Sequence, residues 1–370
     1  MDALGEPESA NNGRTTISVD AMGGDRGAAS VVAGVALAAR KNPEIRFILH
    51  GPRAQLEKLV ARRKVLAGRV EVCHAQEAIT MKDNPRSAMR NSRGSSMWSA
   101  LESVRNKKAD VCVSCGNTGA LMLLSVSLLR TLPNINRPAI AVLWPSLGRQ
   151  GYNIVLDVGA DIRATAQDLL QYALMGAAYA RNGMQIGQPR VGLLNVGTED
   201  HKGRSELRAA HALIKRNSRV IGADFKFAGF VEGSDLPGDK ADVIVTDGFT
   251  GNVALKTAEG TAQLINTLLR QAFRFSPLSR LAAILAYTSL RRLRRRIDPR
   301  YLNGGVFLGL DGIVVKSHGG ADAKGVAAAL RLAFRLSHTN FNEELAARVA
   351  AAEGLPRNTP EEACENDATP

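Results

Sequence analysis

The stretch VSCGNTGALML, residues 113–123, places a glycine, an asparagine and a threonine between a short strand-like run and a long apolar run. Asparagine followed by threonine before an apolar, helix-forming run is typical of a helix N-terminus. The first N–H groups of a helix have no partner within it, and they carry the positive end of its dipole. The stretch therefore predicts a strand and then a helix whose start, at Asn117 and Thr118, is suited to bind an anion.

Short β-branched runs alternate with longer helical patterns along the whole chain, which is typical of βα units around a mostly parallel sheet. Strands are predicted at 15–20, 45–50, 70–74, 110–114, 139–143, 153–157, 191–195, 225–230, 242–246 and 312–316. Helices are predicted at 27–40, 95–107, 118–131, 166–181, 204–217, 252–273, 323–337 and 341–353. The sequence therefore predicts an α/β fold, with one domain over 15–354 between flexible tails at 1–14 and 355–370.

The composition of this 370-residue chain fits an ordinary globular α/β protein, with 45% hydrophobic and 5% aromatic residues. Its net charge of +13 predicts an acidic partner without identifying that partner. Four cysteines without a framework spacing and an N-terminus without an apolar core indicate a reducing compartment and no secretory signal. We therefore expect a cytoplasmic protein. Because the longest apolar run, 120–129, is half the length of a membrane span, we expect no segment that crosses a bilayer.

Five glycine-rich loops follow predicted strands, and each also contains Asp, Asn, Thr, Lys or His. They are DAMGGDRG (20–27), SCGNTGA (114–120), NVGTEDHKGR (195–204), TDGFTGN (246–252) and VKSHGGAD (315–322). One glycine-rich turn after one strand is ordinary turn chemistry. Since open α/β sheets place their ligand sites at the carboxyl ends of strands, the five loops together predict one anion-binding crevice.

Several signatures of cofactor and metal sites are missing from the sequence. It contains no glycine-rich dinucleotide fingerprint at the first helix, no G-x-x-x-x-G-K-[ST] loop, and neither H-E-x-x-H nor a paired cysteine motif. The G-x-S-x-G motif of serine hydrolases is also missing. We therefore expect chemistry that uses no cofactor and no metal.

Seven long motifs follow one another along the chain. They are DAMGGD (20–25), PRSAMRNSRGSSM (85–97), CGNTGALM (115–122), LPNINRPAIA (132–141), LLNVGTEDHKG (193–203), VEGSDLPGDKADVIVTDGFTGNVALKTAEG (231–260) and GIVVKSHGGAD (312–322). In order and content they resemble the phosphate acyltransferases of bacterial glycerophospholipid synthesis, the PlsX type, over roughly residues 15–340. The resemblance implies a three-layer αβα fold similar to that of isopropylmalate dehydrogenase and phosphotransacetylase.

The resemblance also implies a reaction and its partners. The enzyme would reversibly transfer a fatty acyl group from acyl carrier protein to inorganic phosphate. The acyl phosphate would then pass to a membrane-bound acyl-phosphate:glycerol-3-phosphate acyltransferase. A homodimer in the cytoplasm, peripherally associated with the inner face of the membrane, is implied as well.

Such a reaction needs a site that holds phosphate close to a thioester carbonyl. The chief phosphate candidates are Lys202, Lys256 and Arg90, although an isolated surface cation is more often simply solvated. Further candidates for phosphate or substrate contacts lie within the same motifs: Asp20, Gly23, Gly24, Asp25, Ser95, Ser96, Gly116, Thr118, Gly119, Asn195, Asp247, Gly248, Gly251, Asn252 and Lys316.

His318 is the predicted acid–base residue, because an imidazole can take a proton from phosphate or return one to the departing thiolate. Lys202 and Asn117 complete the predicted catalytic group, with the Asn117 amide or glycine-loop N–H groups as donors to the oxyanion. In a rival mechanism, the thiolate of Cys115 takes the acyl group before phosphate does. We disfavour it because the family that the chain resembles commonly has alanine here, which implies a small buried side chain. In addition, CVSC (112–115) lies along a strand and does not open a helix as a redox pair would.

The segment 273–300 combines apolar residues with a dense arginine cluster, which predicts an amphipathic helix or helical hairpin. Its predicted contacts with a membrane or carrier protein are Leu281, Ile284, Leu285, Arg291, Arg292, Arg294, Arg295 and Arg296. An anionic membrane surface, the acidic carrier protein and a second subunit all remain open as partners. Nucleic acid is not expected, because no basic platform with interleaved aromatic residues accompanies the cluster.

Two other functions share parts of this pattern. A phosphotransacetylase-like enzyme would act on short acyl-CoA and would not need the arginine-rich segment. A non-catalytic scaffold at the membrane would keep the phosphate site without turnover. The acyltransferase function uses both the glycine-rich loops and the basic segment, so it is the function we expect.

Overall fold

The computed structural model describes residues 14–90, 92–219, 225–297, 304–339 and 341–353, so the predicted tails lie outside the described residues except for Arg14. Eleven strands in these ranges form one sheet. The strands are β1 Thr16–Asp20, β2 Arg46–Gly51, β3 Val70–His74, β4 Val111–Ser114, β5 Ala139–Pro145, β6 Tyr152–Leu156, β7 Arg190–Leu194, β8 Lys226–Val231, β9 Val243–Val245, β10 Gly305–Leu308 and β11 Ile313–Lys316.

Twelve α-helices connect or flank these strands within the same described ranges. They are α1 Gly27–Lys41, α2 Arg53–Ala61, α3 Pro85–Arg90, α4 Ser96–Arg105, α5 Thr118–Leu129, α6 Ala166–Ala178, α7 Ser205–Asn217, α8 Gly248–Arg274, α9 Pro277–Leu285, α10 Tyr287–Ile297, α11 Ala323–Ser337 and α12 Phe341–Glu353. None of the helices in the described part of the chain is both long and apolar enough to span a bilayer.

The strand order across the sheet is β3-β2-β1-β4-β11-β10-β5-β6-β9-β7-β8. Strands β3, β2, β1, β4 and β11 are parallel to one another. The pairs β11–β10, β10–β5 and β5–β6 are antiparallel, so β6, β9, β7 and β8 form a second parallel group that runs in the opposite direction. The carboxyl ends of the two parallel groups therefore lie at opposite edges of the sheet.

Apolar residues cover both faces of the sheet. On β4, Val111 and Val113 belong to one core, whereas Cys112 between them belongs to the other. Helices α1, α6, α7 and α11 bury residues in the first core, and α4 and α5 bury residues in the second. Because side chains alternate across a strand, this pattern builds two cores from one sheet and gives the three-layer αβα fold.

All ten predicted strands and all eight predicted helices are present, with shifts of a few residues at their ends. The sequence patterns miss β10, which has four residues and pairs with β11 and β5 in the antiparallel direction. They also miss α2 and α3, which are short. These elements depend on partners that are distant in sequence, so local periodicity does not reveal them.

Helix α8 begins four residues earlier than predicted, at Gly248, because Asp247 caps it. The Oδ1 atom of Asp247 accepts a hydrogen bond from the backbone N–H of Thr250 at 2.8 Å. After its first turn, most of the 27-residue helix is exposed, and α9 and α10 follow it as further short helices. The predicted helical segment at 273–300 is thus present as the end of α8 followed by α9 and α10, with 298–300 outside the described residues.

We expect Gly34→Ala to reduce the free energy of unfolding by about 1–3 kcal/mol, because overpacked positions destabilise cores by this amount. A Cβ atom at Gly34 would lie 2.5 Å from the Cβ of Val326, where α1 packs on α11. The matched control is Gly260→Ala in α8, where a Cβ atom meets nothing within 4 Å. Alanine should there stabilise the helix by up to about 1 kcal/mol. Urea unfolding measures both changes, and an equal effect of the two substitutions would contradict close packing at Gly34.

Candidate active site

The carboxylate of Asp20 lies buried at the carboxyl end of β1 and organises the surrounding loops. Its Oδ1 atom accepts hydrogen bonds from Ser96 Oγ at 2.6 Å and from the backbone N–H of Met22 at 3.2 Å. Its Oδ2 atom accepts a hydrogen bond from Ser114 Oγ at 2.7 Å. Since a buried charge is costly unless it is hydrogen-bonded, these donors fix the positions of α4 and β4 relative to β1.

Glycines let the loop after β1 contact the loop after β4. A Cβ atom at Gly23 would lie 2.3 Å from Asp20 Oδ2 and 2.7 Å from the backbone nitrogen of Gly116, so a larger residue does not fit there. The backbone N–H of Asp25 donates to the carbonyl of Gly319 at 2.9 Å, which joins the loop after β11 to the same group. Three of the five predicted loops, those after β1, β4 and β11, therefore meet at one edge of the sheet.

Lys316 ends β11 and lies buried beneath these three loops. Its Nζ atom donates to the carbonyl of Cys115 at 3.4 Å and to the carbonyl of Ser317. Burial lowers the pKa of the Lys316 amine to about 8, against the opposing attraction of groups that include Asp20 and Asp25. A buried amine that can change its charge near neutral pH thus lies next to the start of α5.

His318 lies two residues beyond Lys316 and is exposed at this edge. Its Nδ1 atom accepts a hydrogen bond from the backbone N–H of Gly320 at 3.0 Å. Burial of part of the ring lowers the pKa of His318, while the charge of Glu259 raises it and the charge of Lys256 lowers it. Lys256 and Glu259 form a salt bridge of 2.8 Å on α8, so this helix brings both charges towards the histidine.

Asn117 caps α5, as the sequence predicts, and both polar atoms of its side chain form hydrogen bonds. The Oδ1 atom accepts a hydrogen bond from the backbone N–H of Ala120 at 3.1 Å. The Nδ2 atom donates to the carbonyls of Met81 and Asp83 at 3.3 and 3.1 Å. In this structure the amide therefore holds the 81–83 loop against the helix start rather than facing an open position.

Several other candidates from the sequence lie near the start of α5. Thr118 and Gly119 form its first turn, and a Cβ atom at Gly119 would lie 2.8 Å from the ring of Pro85 at the start of α3. Ser95 caps α4 by accepting a hydrogen bond from the backbone N–H of Trp98 at 3.2 Å. Arg90 is exposed at the end of α3, so its guanidinium is accessible to an anion.

The loops after β7 and β9 lie at the opposite edge of the sheet, because these two strands run opposite to β1, β4 and β11. The expectation of five loops in one crevice is therefore wrong for two of them. Lys202, in the loop after β7, is half-exposed and forms a salt bridge of 2.7 Å with Glu199. The structure does not bring Lys202 to the edge that contains His318.

The second edge has its own polar cluster. Arg204 forms a salt bridge with Asp247, and the buried Asn195 donates from Nδ2 to the carbonyl of Lys202 at 3.1 Å. A Cβ atom at Gly203 would lie 2.1 Å from Asn195 Oδ1, so glycine is required there. Asn252 lies beside Gly159 in the neighbouring loop. Asn195, Asp247 and Asn252 thus group with Lys202 and not with His318.

Asp157 is a buried residue in this second cluster that the sequence reading does not select. Its carboxylate accepts hydrogen bonds from the backbone N–H groups of Ile140, Gly159, Ala160 and Asp161 at 2.7–3.2 Å. Burial raises its pKa, and these backbone donors oppose the rise. The loop after β9 packs against this residue through Gly248 and Gly251, where a Cβ atom would lie 2.5 Å from Asp157 Oδ2 and 1.9 Å from its carbonyl. The glycine pair in TDGFTG is the signal in the sequence for this close approach.

Cys115 is buried at the start of the loop after β4. Burial raises the pKa of its thiol to about 11, although the charge of Lys316 opposes this effect. Since the thiolate is the nucleophilic form, this environment disfavours Cys115 as a nucleophile.

The predicted contact residues whose side chains are described are all exposed. Leu281, Ile284 and Leu285 on α9 are 53%, 71% and 78% exposed, and Arg291 and Arg292 on α10 are exposed as well. Arg294, Arg295 and Arg296 belong to the backbone of α10, but their side chains lie outside the described part of the structure.

Comparison with known proteins gives matches over most of the chain. The model of the family described as "Fatty acid synthesis protein" matches residues 15–344. A phosphate acyltransferase from Ruegeria sp. (strain TM1040) is 66% identical over 95% of this chain and 93% of its own length. A phosphate acyltransferase from Paracoccus denitrificans is 64% identical over 90% of both chains.

Solved structures with the same fold have low sequence identity. The EutD phosphotransacetylase from Staphylococcus aureus matches with a TM-score of 0.55 at 13% identity, over 88% of this chain and 94% of its own. A phosphotransacetylase from Streptococcus pyogenes matches with a TM-score of 0.58 at 14% identity, over the same shares of the two chains. At this identity the likeness extends to the fold alone.

We expect Lys316→Met to remove a pH-dependent gain in stability. Between the folded-state pKa of about 8 and the ordinary value of 10.5, the unfolded chain binds a proton that the folded chain has lost. The free energy of unfolding of the wild type should therefore rise with pH across this range, by an amount on the order of 2 kcal/mol. Urea unfolding at about pH 7 and about pH 10 measures this rise.

Other groups also titrate in this range, so the informative quantity is the wild-type free energy minus that of Lys316→Met. This difference should increase with pH. A difference that is the same at both pH values would contradict a lowered pKa for Lys316.

Proposed function

The chain belongs to the phosphate acyltransferase (PlsX-type) family of fatty acid synthesis proteins, and on this premise we propose that it transfers a fatty acyl group from acyl carrier protein to inorganic phosphate. The observation that carries this function is the identity of 59–66% to phosphate acyltransferases over 90–97% of the chain. The enzyme is thus an acyltransferase, and its product is an acyl phosphate.

The reaction forms one bond and breaks one bond. A phosphate oxygen attacks the thioester carbonyl, and the resulting oxyanion collapses as the carbon–sulfur bond breaks. The carrier-protein thiolate then accepts a proton. No redox step is involved, so the site needs to position phosphate, stabilise the oxyanion and move a proton.

The edge that contains His318 and Lys316 fits these three tasks best. The N-terminus of α5 and the cation of Lys316 create a positive potential that favours phosphate. Neutral His318 accepts a proton from phosphate and returns it to the thiolate. The candidates Asp20, Gly23, Gly24, Asp25 and Gly116 shape this position.

Lys202 and its neighbours at the second edge serve as a separate contact for phosphate or for the acidic carrier protein. This role is supported by the exposure of the Lys202 side chain and by the hydrogen bond from Asn195 that holds its backbone carbonyl. The alternative function is transfer to phosphate from a short acyl-CoA. Its support is the fold shared with phosphotransacetylases, and this likeness does not extend to the substrate.

The segment from α8 to α10 is the proposed contact with partners. Exposed leucines and Ile284 on α9 together with arginines on α10 suit an anionic membrane surface, where the acyl phosphate would reach a membrane-bound acyltransferase. A homodimer in the cytoplasm would place two such segments on one assembly. The exposed apolar side chains of Val253 and Leu264 on α8 support a subunit interface.

The decisive assay is phosphate-dependent release of free carrier-protein thiol from palmitoyl-acyl carrier protein. We expect His318→Gln to lower kcat about a hundredfold, as loss of an acid–base group does. Because the pKa of His318 lies below 6.5, kcat/KM of the wild type should fall only in more acidic solution, as the imidazole gains a proton. His318→Gln should lose this part of the pH profile and keep the part due to phosphate itself.

Cys115→Ala is the control in this assay, since a buried thiol with a raised pKa should be dispensable. Its inactivity in a folded protein would favour the covalent mechanism instead.

Lys202→Ala, compared with Lys215→Ala on α7, tests the second edge through the KM for phosphate. An increase in this KM for Lys202→Ala alone would support Lys202 as a phosphate contact. An unchanged KM would exclude this role. Turnover of acetyl-CoA without turnover of palmitoyl-acyl carrier protein would overturn the proposed donor.

We expect the double substitution Arg291→Glu and Arg292→Glu to weaken binding to phosphatidylglycerol vesicles at least tenfold. Each basic residue near an anionic surface contributes about 1 kcal/mol, and charge reversal adds repulsion. Co-sedimentation with the vesicles measures the change. Arg216→Glu, at an exposed position of α7, is the charge control and should have little effect. Equal losses in both variants would point to non-specific attraction by net charge.

A further inference from the structure

Helices α8, α9 and α10 enclose a groove with a volume of about 440 Å³. Most of its wall is apolar and consists of Ile265, Leu269, Phe273, Ile284, Tyr287 and Leu290. The volume lies within the range of about 300–1,000 Å³ that is typical of small-molecule pockets. The groove can therefore bury a substantial length of hydrocarbon.

Three arginines give the groove a charged end. Arg274 is the last residue of α8 and Arg280 lies in the first turn of α9, so both flank the turn between these helices. Arg270 lies one helical turn before Arg274 on the same face. Ile265 lies about 13 Å from Arg274 along the helix axis, at a rise of 1.5 Å per residue. The groove is thus positive at the turn and apolar towards its other end.

The arginines are available for an anion. Among the described residues, no carboxylate forms a salt bridge with Arg270, Arg274 or Arg280. Guanidinium groups bind phosphate oxygens through paired, charge-assisted hydrogen bonds. A free phosphate would leave the apolar wall in contact with water, and an uncharged chain would leave the arginines without a counter-ion. The groove is therefore complementary to an amphiphile with one chain and an anionic head.

We propose that this groove binds the long-chain acyl phosphate, with the acyl chain along the apolar wall and the phosphate at the arginines. This inference rests on the proposed function, because that reaction makes a product of this chemistry. Binding here keeps the chain of the product out of water after the carrier-protein thiol has left. It also places the product on the segment proposed to contact the membrane.

Hexadecyl phosphate is a stable probe with the same head and chain chemistry. Isothermal titration calorimetry below its critical micelle concentration should show saturable binding to the full-length protein. Leu269→Gln and Arg274→Gln should each weaken binding about tenfold, because one removes an apolar contact for the chain and the other a charged hydrogen-bonding partner for the phosphate. Leu278→Gln, on α9 but outside the groove, and Arg216→Gln on α7 are matched controls that should bind as the wild type does.

Probe chemistry tests both ends of the groove. Octyl phosphate and hexadecyltrimethylammonium should bind at least tenfold more weakly than hexadecyl phosphate, since one lacks chain length and the other reverses the head charge. Equal affinity for all three probes, or no saturable binding to the wild type, would overturn the proposal. So would equal losses in Leu269→Gln and Leu278→Gln.

Two other occupants of the groove have distinct outcomes. If Leu269→Gln converts a dimer to a monomer in analytical ultracentrifugation while Leu278→Gln does not, a second subunit covers the groove and the proposal fails. If Leu269→Gln loses binding to phosphatidylglycerol vesicles but keeps hexadecyl phosphate, the membrane covers it and the proposal fails.

The thiol-release assay on the same preparations separates this inference from the function. Turnover without binding of hexadecyl phosphate overturns the proposal for the groove and leaves the proposed function intact. Binding without turnover overturns the acyl phosphate as the occupant, because the protein would then not produce it.

Discussion

A buried carboxylate, that of Asp20, is the constraint on which the first sheet edge depends. Its two oxygens accept hydrogen bonds from Ser96 on α4 and Ser114 at the end of β4. Removal of either hydroxyl would leave a buried charge short of a partner, which is among the most costly changes in a protein interior. Glycine is required at 23 for the same reason, because the loop must approach this carboxylate closely, and a Cβ atom at Gly116 would lie 2.4 Å from the Met97 methyl group. The hydrogen bonds to Asp20 at this edge thus form only because the loops pack closely around it.

Lys316 lies in the environment that this arrangement creates. Burial disfavours its charged form, while Asp20 and Asp25 favour it, so its pKa falls only to about 8. A lysine in this condition keeps much of its positive charge near neutral pH, which suits the binding of phosphate. Cys115 experiences the same burial with the opposite result, because its thiol becomes less able to form the nucleophilic thiolate. Burial thus leaves a cation at Lys316 and a poorly nucleophilic thiol at Cys115.

The reversal of strand direction through β10 and β5 separates the polar loops into two clusters. Helix α8 starts at the second cluster and brings Lys256 and Glu259 towards His318. The later part of α8, with α9 and α10, extends the exposed surface on which the groove lies. A single long helix thus connects the second cluster, the first sheet edge and the proposed contact segment.

The sequence by itself determined the α/β fold, ten of the strands and the glycine-rich loops, because periodicity and turn chemistry are local properties. It also indicated the family, since long motifs with fixed order carry more information than single residues. Only the tertiary structure decided that Lys202 lies at a different edge from His318, because strand direction depends on the short β10 and its distant partners. It also decided that the Asn117 amide bonds to the 81–83 loop and that Lys316 is buried. These properties arise from contacts between residues far apart in the chain, which no local pattern encodes.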